Sequence, residues 1–408
     1  MFEILFGKRP SVTARYRQGP LSDAREHFLK QCDQQGYSQA MLKKIAWVQL
    51  SIAPHLKIDR GRLTAQDIES AVDAHSRLKG SFKSRKLFIH IATEWLRSLG
   101  CLEQLLPVQS PYAIQIAAFC QHLREERGLS PTTILSHCER LHWFFNSLEP
   151  FQKSLGEITV ADVDAFIEMM AKKGWKRSSL GCLASSLRSF FHYAEAQGWC
   201  APGLAIVIES PRIYLQEGLP KGPSWQDVQR LLDSSSEDRP ADIRDQAILL
   251  LLAIYGLRRG EVARLRLEDI DWFGDRIVVS RPKQRRTQYY PLAPAVGEAI
   301  LRYLRKVRGR CEHRTVFLTL SAPVRPLSGT SISAVVRTRV RSLGISLASN
   351  GAHCLRHACA GRLLSAGFSL KHIGDYLGHR SANTTIGYTK IDLTGLRQVA
   401  EFDLRRLL

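Results

Sequence analysis

The sequence predicts a mainly α-helical protein with a small β-sheet. Three observations carry that prediction. Apolar residues recur three and four apart over most of the 408 residues. Ser and Thr stand ahead of those runs where helix N-caps are needed. One region changes period: Arg276-Ile-Val-Val-Ser280 and Gln288-Tyr-Tyr-Pro-Leu292 flank a basic turn, the outline of a hairpin, with Val316-Phe-Leu-Thr319 as a candidate third strand. A chain of this length is too long for one core, so two or three domains are expected.

Taken in order, the pattern is helical from about Asp23 to Leu102. Gly36-Tyr-Ser38 precedes a helix carrying Leu42, Ile45, Trp47, Val48 and Ile52. Thr64 caps the next, with Asp67 three residues on, and a further helix runs through Phe88, Ile91, Trp95 and Leu99 to Gly100. The same grammar returns about 95 residues later. Ser130-Pro opens a helix with Ile134, Leu141, Trp143, Phe144 and Phe145; Thr159 and Asp162 repeat Thr64 and Asp67; Leu183 to Ala196 closes the set. The reading is two related helical modules, residues 1–105 and 106–200. Residues 201–223 hold too many Pro and Gly for a regular element and read as a linker. Ser224-Trp-Gln-Asp227 then caps the first helix of a third domain, 224–408, which continues through Val228 to Leu232 and Ile243 to Tyr255 before the hairpin.

Hydrophobic content of 44% and 24% charged residues are ordinary for a globular protein. The charge balance is not: 58 Lys and Arg against 38 Asp and Glu give +20. That excess favours a polyanionic partner through counterion release and electrostatic steering, although ribosomal, RNA-modifying and membrane-surface proteins share it. Nine cysteines are scattered without a C-x-x-C pair, which argues against a disulfide framework or zinc ribbon and suits a reducing cytoplasm. The apolar run at Met1 to Phe6 is too short for a secretory signal, and Ala247 to Tyr255 is under half a membrane span. A soluble, cytoplasmic protein is expected.

The stretch His353 to Tyr388 holds the residues hardest to explain as core. His353-Cys-Leu-Arg356-His357 puts a histidine and an arginine on one helix face. Leu377-Gly378-His379 follows, and Tyr388 lies nine residues beyond His379. Upstream, Gly256-Leu-Arg258-Arg259-Gly260-Glu261 sits where an apolar helix ends. There an arginine oriented by Glu261 can present a fork to a phosphate. Taken alone, the C-terminal stretch also fits a helical hairpin with satisfied polar residues. His357, four after His353, could suggest a zinc pair. No Glu follows His353 as in H-E-x-x-H and no carboxylate third ligand is evident, so no metal is assigned.

In this order, Gly-Leu-Arg-x-Gly-Glu, His-x-x-Arg-His and Leu-Gly-His with a tyrosine nine later resemble the tyrosine recombinases, or phage-integrase family. The resemblance covers about residues 224–395. It implies a mixed α+β catalytic domain preceded by a SAM-like helical DNA-binding module at about 110–200. The segment before residue 105 is an addition to that layout. It further implies that Arg258 and Arg356 neutralise the scissile phosphate, with His353 as the base and His379 as a hydrogen-bond donor. Tyr388 is the implied nucleophile, forming a 3′-phosphotyrosine. Lys283, eight residues before Pro291, matches the family's hairpin lysine and is the implied general acid. Glu261 supports an arginine. Arg281, Arg285 and Arg286 around the turn, and Arg337, Arg339 and Arg341 on a later helix, are candidate DNA contacts. No ATP, metal or other cofactor is implied.

The implied partner is double-stranded DNA, bound by a homo-tetramer on two sites, with related recombinases or accessory proteins as further partners. The C-terminal face of Leu393, Leu396, Val399 and Phe402 would dock on a neighbouring protomer, or else within its own chain. The implied setting is a bacterial cytoplasm, at the nucleoid, in the service of a mobile element. Two other classes share parts of this reading: a topoisomerase-like enzyme without strand exchange, and a DNA-binding regulator that keeps the fold.

Overall fold

The computed structural model describes residues 1–56, 62–75, 82–103, 111–212, 222–235, 237–281, 286–347 and 351–379. Lys283, Arg285, Tyr388 and the apolar run from Leu393 to Phe402 lie outside them. By internal contacts the chain forms two units, Met1–Leu102 together with Gly218–Leu408, and Glu103–Glu217.

The first 102 residues fold as α1 (Phe2–Phe6), α2 (Pro10–Gln18), α3 (Ser22–Gln34), α4 (Gln39–Ile52), α5 (Ala65–Ala74) and α6 (Phe82–Ser98). They share a core that includes Leu42, Ile45, Phe88 and Trp95. The second unit holds α7 (Ala113–Glu125), α8 (Pro131–Leu148), α9 (Val160–Lys172), α10 (Arg177–Ala196) and α11 (Leu204–Val207) around Phe144, Phe145, Phe190 and Phe191. The repeated caps are real. Ser38 and Ser130 accept from the backbone N–H three residues on, and Asp67 and Asp162 each accept at 2.8 Å from the backbone N–H of Thr64 and Thr159. The caps of α4 and α5 therefore match those of α8 and α9 in order and in chemistry. Trp47 and Trp143, counted with the apolar faces, are instead 37% and 45% exposed.

Two expectations need correcting here. The breaker-rich stretch after residue 200 is not free linker throughout. Gly203, at φ 98°, turns the chain into α11, and Leu204, Ala205 and Ile208 pack into the second core. Arg188 fixes the exit by donating to the Ile208 carbonyl, and Glu195 accepts from the Ala205 N–H at 2.7 Å. One disulfide joins Cys120 on α7 to Cys138 on α8, while the other seven cysteines are free, so a pairing exists although no framework does.

The remaining element order is α12 (Trp225–Asp233), α13 (Pro240–Ile254), α14 (Arg259–Arg264), β1 (Ile270–Asp271), β2 (Arg276–Arg281), β3 (Arg286–Pro291), α15 (Pro294–Lys306), α16 (Gly329–Ser342), α17 (His353–Ser365) and α18 (Leu370–Leu377). The sheet is antiparallel in the order β1-β2-β3, with Ile277 opposite Tyr290 and Arg281 opposite Arg286. The third strand is therefore Ile270–Asp271 rather than Val316–Thr319. Val316 and Phe317 are fully buried, but that segment makes only isolated bridges, Arg266 with Thr315 and Leu318 with Pro326. A buried apolar tripeptide satisfies its backbone in either way, and periodicity does not distinguish them. Helix α13 runs through this core with Ala247, Ile248, Leu249, Leu251 and Leu252 all buried, which makes it a rigid base for the loop that follows. No described helix is long and apolar enough to cross a membrane.

Candidate active site

Three sequence motifs converge on the C-terminal turn of α18. A helix end leaves its last carbonyls without intrahelical partners, and this one hands them to side chains from elsewhere. Gln288 on β3 donates to the carbonyls of Asp375 and Tyr376 at 3.1 and 3.0 Å. Tyr290 also donates to Tyr376. The Leu377 carbonyl accepts from Arg356 Nη2 at 2.6 Å and from Arg281 Nη1. The Gly378 carbonyl accepts from Arg258 Nη2 at 2.9 Å. Three guanidinium groups thus gather at the negative end of a helix, where cations are favoured.

Each arginine is oriented by its own element. Arg258 is the N-cap of α14. Glu261, three residues on and buried, accepts from the Arg258 backbone N–H and from its Nη1, both at 2.8 Å. The Arg258 side chain stays 37% exposed, so it faces outward from this clamp. Arg356 lies on α17 at 1% exposure and bridges the Gly256 carbonyl at 2.7 Å to that of Leu377. Gly256, at φ +59°, is needed for this approach, since a Cβ there would meet Leu377 Cδ2 at 2.4 Å. Arg259, the next residue in the motif, has its Cγ against Gly329 instead.

His353 and His357 share one face of α17, their rings edge-to-face with centroids 4.4 Å apart. Among the described residues no group of three or more His, Cys, Asp and Glu side chains is placed to hold a metal ion. Burial and the charges of Arg356 and Arg258 lower the His353 pKa. Burial pushes His379 down to about 4, with Arg356, Arg258, Arg281 and His353 adding repulsion. His357 is also pushed to about 4, by burial and then by His353 and Arg356. A neutral imidazole can hydrogen-bond without carrying charge, and becomes a cation when it takes up a proton.

A stability consequence follows from those directions. Unfolded histidines bind protons near pH 6.5, and folded His357 and His379 near 4. The unfolded state therefore holds more protons between those values, and stability falls as the pH drops from 7.5 to 5.5. The calorimetric midpoint is expected to fall over that range, and to fall less in His357→Gln/His379→Gln. Equal drops in both proteins would contradict the assignment.

Gly378 offers a second check. It sits at φ +62°, and a Cβ would stand 1.3 Å from Arg281 Nη1. Gly378→Ala should cost about 1–3 kcal/mol in backbone strain alone, and displacing Arg281 adds to it. Thermal unfolding that matches the parent would refute this packing.

Several expected residues are placed otherwise. Arg281 is not a surface contact: at 2% exposure it belongs to the clamp. Arg339 is also interior, donating through Nη2 to Asp242 and to Asp245 and through Nη1 to the Ser234 carbonyl. Residues two apart on a helix point to opposite sides, so Arg337 and Arg341 share the exposed face and Arg339 turns inward. Arg286 is exposed at the start of β3. Gln288, Tyr290 and Tyr376 were not singled out from sequence. Their only signal was inward register on a strand or helix, which reads as core.

A small hairpin, a helix-borne His-x-x-Arg and the arginine at the α14 N-cap thus converge on one turn. Two family models match, the Phage integrase family over residues 224–394 and the Phage integrase N-terminal SAM-like domain over 116–198. A putative integrase/recombinase, y4rA of Sinorhizobium fredii, is 36% identical over 75% of each chain. The tyrosine recombinase XerC of Thermodesulfovibrio yellowstonii is 29% identical over 70% of this chain and 94% of that one. The fold is shared with XerH recombinase in a post-cleavage complex with difH DNA (TM-score 0.55, 17% identity, 86% of this chain and 96% of that one). The chain belongs to the phage integrase family of tyrosine recombinases, enzymes that break and rejoin DNA strands.

Proposed function

We propose that this chain is a site-specific recombinase that exchanges DNA strands on behalf of a mobile element, through a 3′-phosphotyrosine on Tyr388. The observation that carries the reading is the meeting of Arg258, Arg356 and His379 at one turn, with Glu261 holding Arg258. A phosphodiester repels nucleophiles until its nonbridging oxygens are neutralised, which is the work of Arg258 and Arg356 with His379 donating alongside. Tyr388 Oη attacks phosphorus in line and passes its proton to neutral His353. The bond from phosphorus to the 5′-oxygen breaks, and Lys283 supplies that oxygen with a proton. The phosphotyrosine conserves the bond, so a 5′-hydroxyl from a partner strand reverses the step without ATP or metal. Arg286, Arg337 and Arg341 are exposed and suit phosphate contact, and Arg285 is proposed with them. A tetramer on two sites at the nucleoid, joined through the C-terminal segment, accommodates the exchange, with accessory or related recombinases as further partners. Similarity to putative integrase/recombinases, and the fold shared with the Tn1549 transposon integrase (TM-score 0.52), support the mobile-element setting.

The test is covalent capture. Duplexes from the flanks of the gene's own locus are nicked so that the 5′ fragment is lost, then incubated with the protein and a chelator. A denaturing gel should show a protein–DNA adduct. Retardation on a native gel without any adduct, across a scan of wider DNA, would favour the regulator reading. Resealing that does not depend on a second site would favour the topoisomerase-like one.

A further inference from the structure

Arg281 ends β2, two residues before Lys283, and its side chain points inward in register with Ile277 and Val279. It joins three parts of the site. Nη1 donates to the Leu377 carbonyl, the carbonyl that also takes Arg356 Nη2. Nη2 donates at 2.5 Å to Tyr290, which holds the Tyr376 carbonyl. Nε lies 3.7 Å from Glu261 Oε1, the oxygen that accepts from Arg258 Nη1. Glu261 is the one carboxylate within ion-pair distance of this buried guanidinium among the described residues. A buried arginine placed this way is costly unless its bonds are kept, so the three elements are held in a fixed relation.

We propose that Arg281 is a positioning residue that registers strands β2 and β3 against the His379 turn and the Glu261–Arg258 pair. This rests on the recombinase reading. Arg281 reaches the reaction only through other groups. Removing it lets the hairpin and the turn shift relative to one another, and a misplacement of about 1 Å can cost about 100-fold in rate. It also removes one of the cations facing His379; Arg356 on α17, Arg258 at the α14 cap and the neutral His353 remain.

The experiment uses the full chain on the nicked duplex, with single-turnover adduct formation and native-gel affinity measured together. Arg281→Met should slow adduct formation about 10- to 100-fold while affinity stays within about twofold. The His379 titration, followed by NMR, should move upward. Tyr290→Phe, which deletes only the hydroxyl between Arg281 and Tyr376, should slow the reaction in the same direction and combine with Arg281→Met less than additively. An unchanged rate, or a loss matched by lost affinity, would overturn the proposal. Adduct absent in the parent protein would instead sink the recombinase reading itself. If Arg281→Met does not fold, the Tyr290→Phe rate decides, and parental kinetics there overturn the proposal.

Discussion

Tyr388→Phe should abolish the covalent adduct while leaving DNA retardation on a native gel unchanged. The substitution removes one oxygen, the atom that would bond to phosphorus, and nothing that would bind duplex. Loss of a nucleophile is expected to cost on the order of 10⁴-fold or more. The other tyrosines near the site are poor substitutes. Tyr255 donates to the Pro291 carbonyl at 2.8 Å, Tyr376 to Ile254 at 3.0 Å, and Tyr290 to Tyr376. Burial raises the pKa of all three, which further disfavours a phenolate. Peptide mapping of the captured adduct checks the assignment directly. Adduct persisting in Tyr388→Phe, or mapping to another tyrosine, would reject it.

Arg356→Lys is the second large effect, because it separates charge from shape. The guanidinium spans two carbonyls, Gly256 at 2.7 Å and Leu377 at 2.6 Å, from a fully buried position. An ammonium carries the same charge at one point and cannot bridge both. Leu377 keeps its bond from Arg281, but a Gly256 carbonyl left without its bond costs about 1–3 kcal/mol. The α17–α18 turn then loses its place beside the Gly256 loop. Adduct formation should fall by about 10²–10³, the value of one well-aimed donor in a transition state, and the thermal midpoint should drop. Native-gel affinity should change little, since duplex binding is spread over many phosphate contacts. A lysine variant that cleaves at the parental rate would show that charge alone suffices.

Much of this was legible in the sequence because it is local. Thr64 with Asp67 and Thr159 with Asp162 cap helices by contacts three residues long, which sequence spacing alone displays. Glu261 beside Arg258 is the same kind of contact, so its supporting place could be read before any fold was known. The order of the Arg258, Arg356, His379 and Tyr388 motifs carried the family.

What sequence left undecided depends on partners far along the chain. Arg281 looked like the rim of a basic turn. Its alternation with Ile277 and Val279 placed it inward, but only the arrival of Leu377, Tyr290 and Glu261 made an interior charge tolerable. Arg339 was grouped with Arg337 and Arg341, although a helix turns 100° per residue; Asp242 and Asp245 on α13 keep it inside. Pro202-Gly203 signalled a break, and the turn they form delivers Leu204 and Ile208 to a core that no local pattern revealed. The sequence by itself determined most of the helices, their caps, the motif order and the family. Tertiary structure decided which arginines are interior and how the motifs meet, because a charged side chain is buried only where distant carbonyls and carboxylates converge to replace its water.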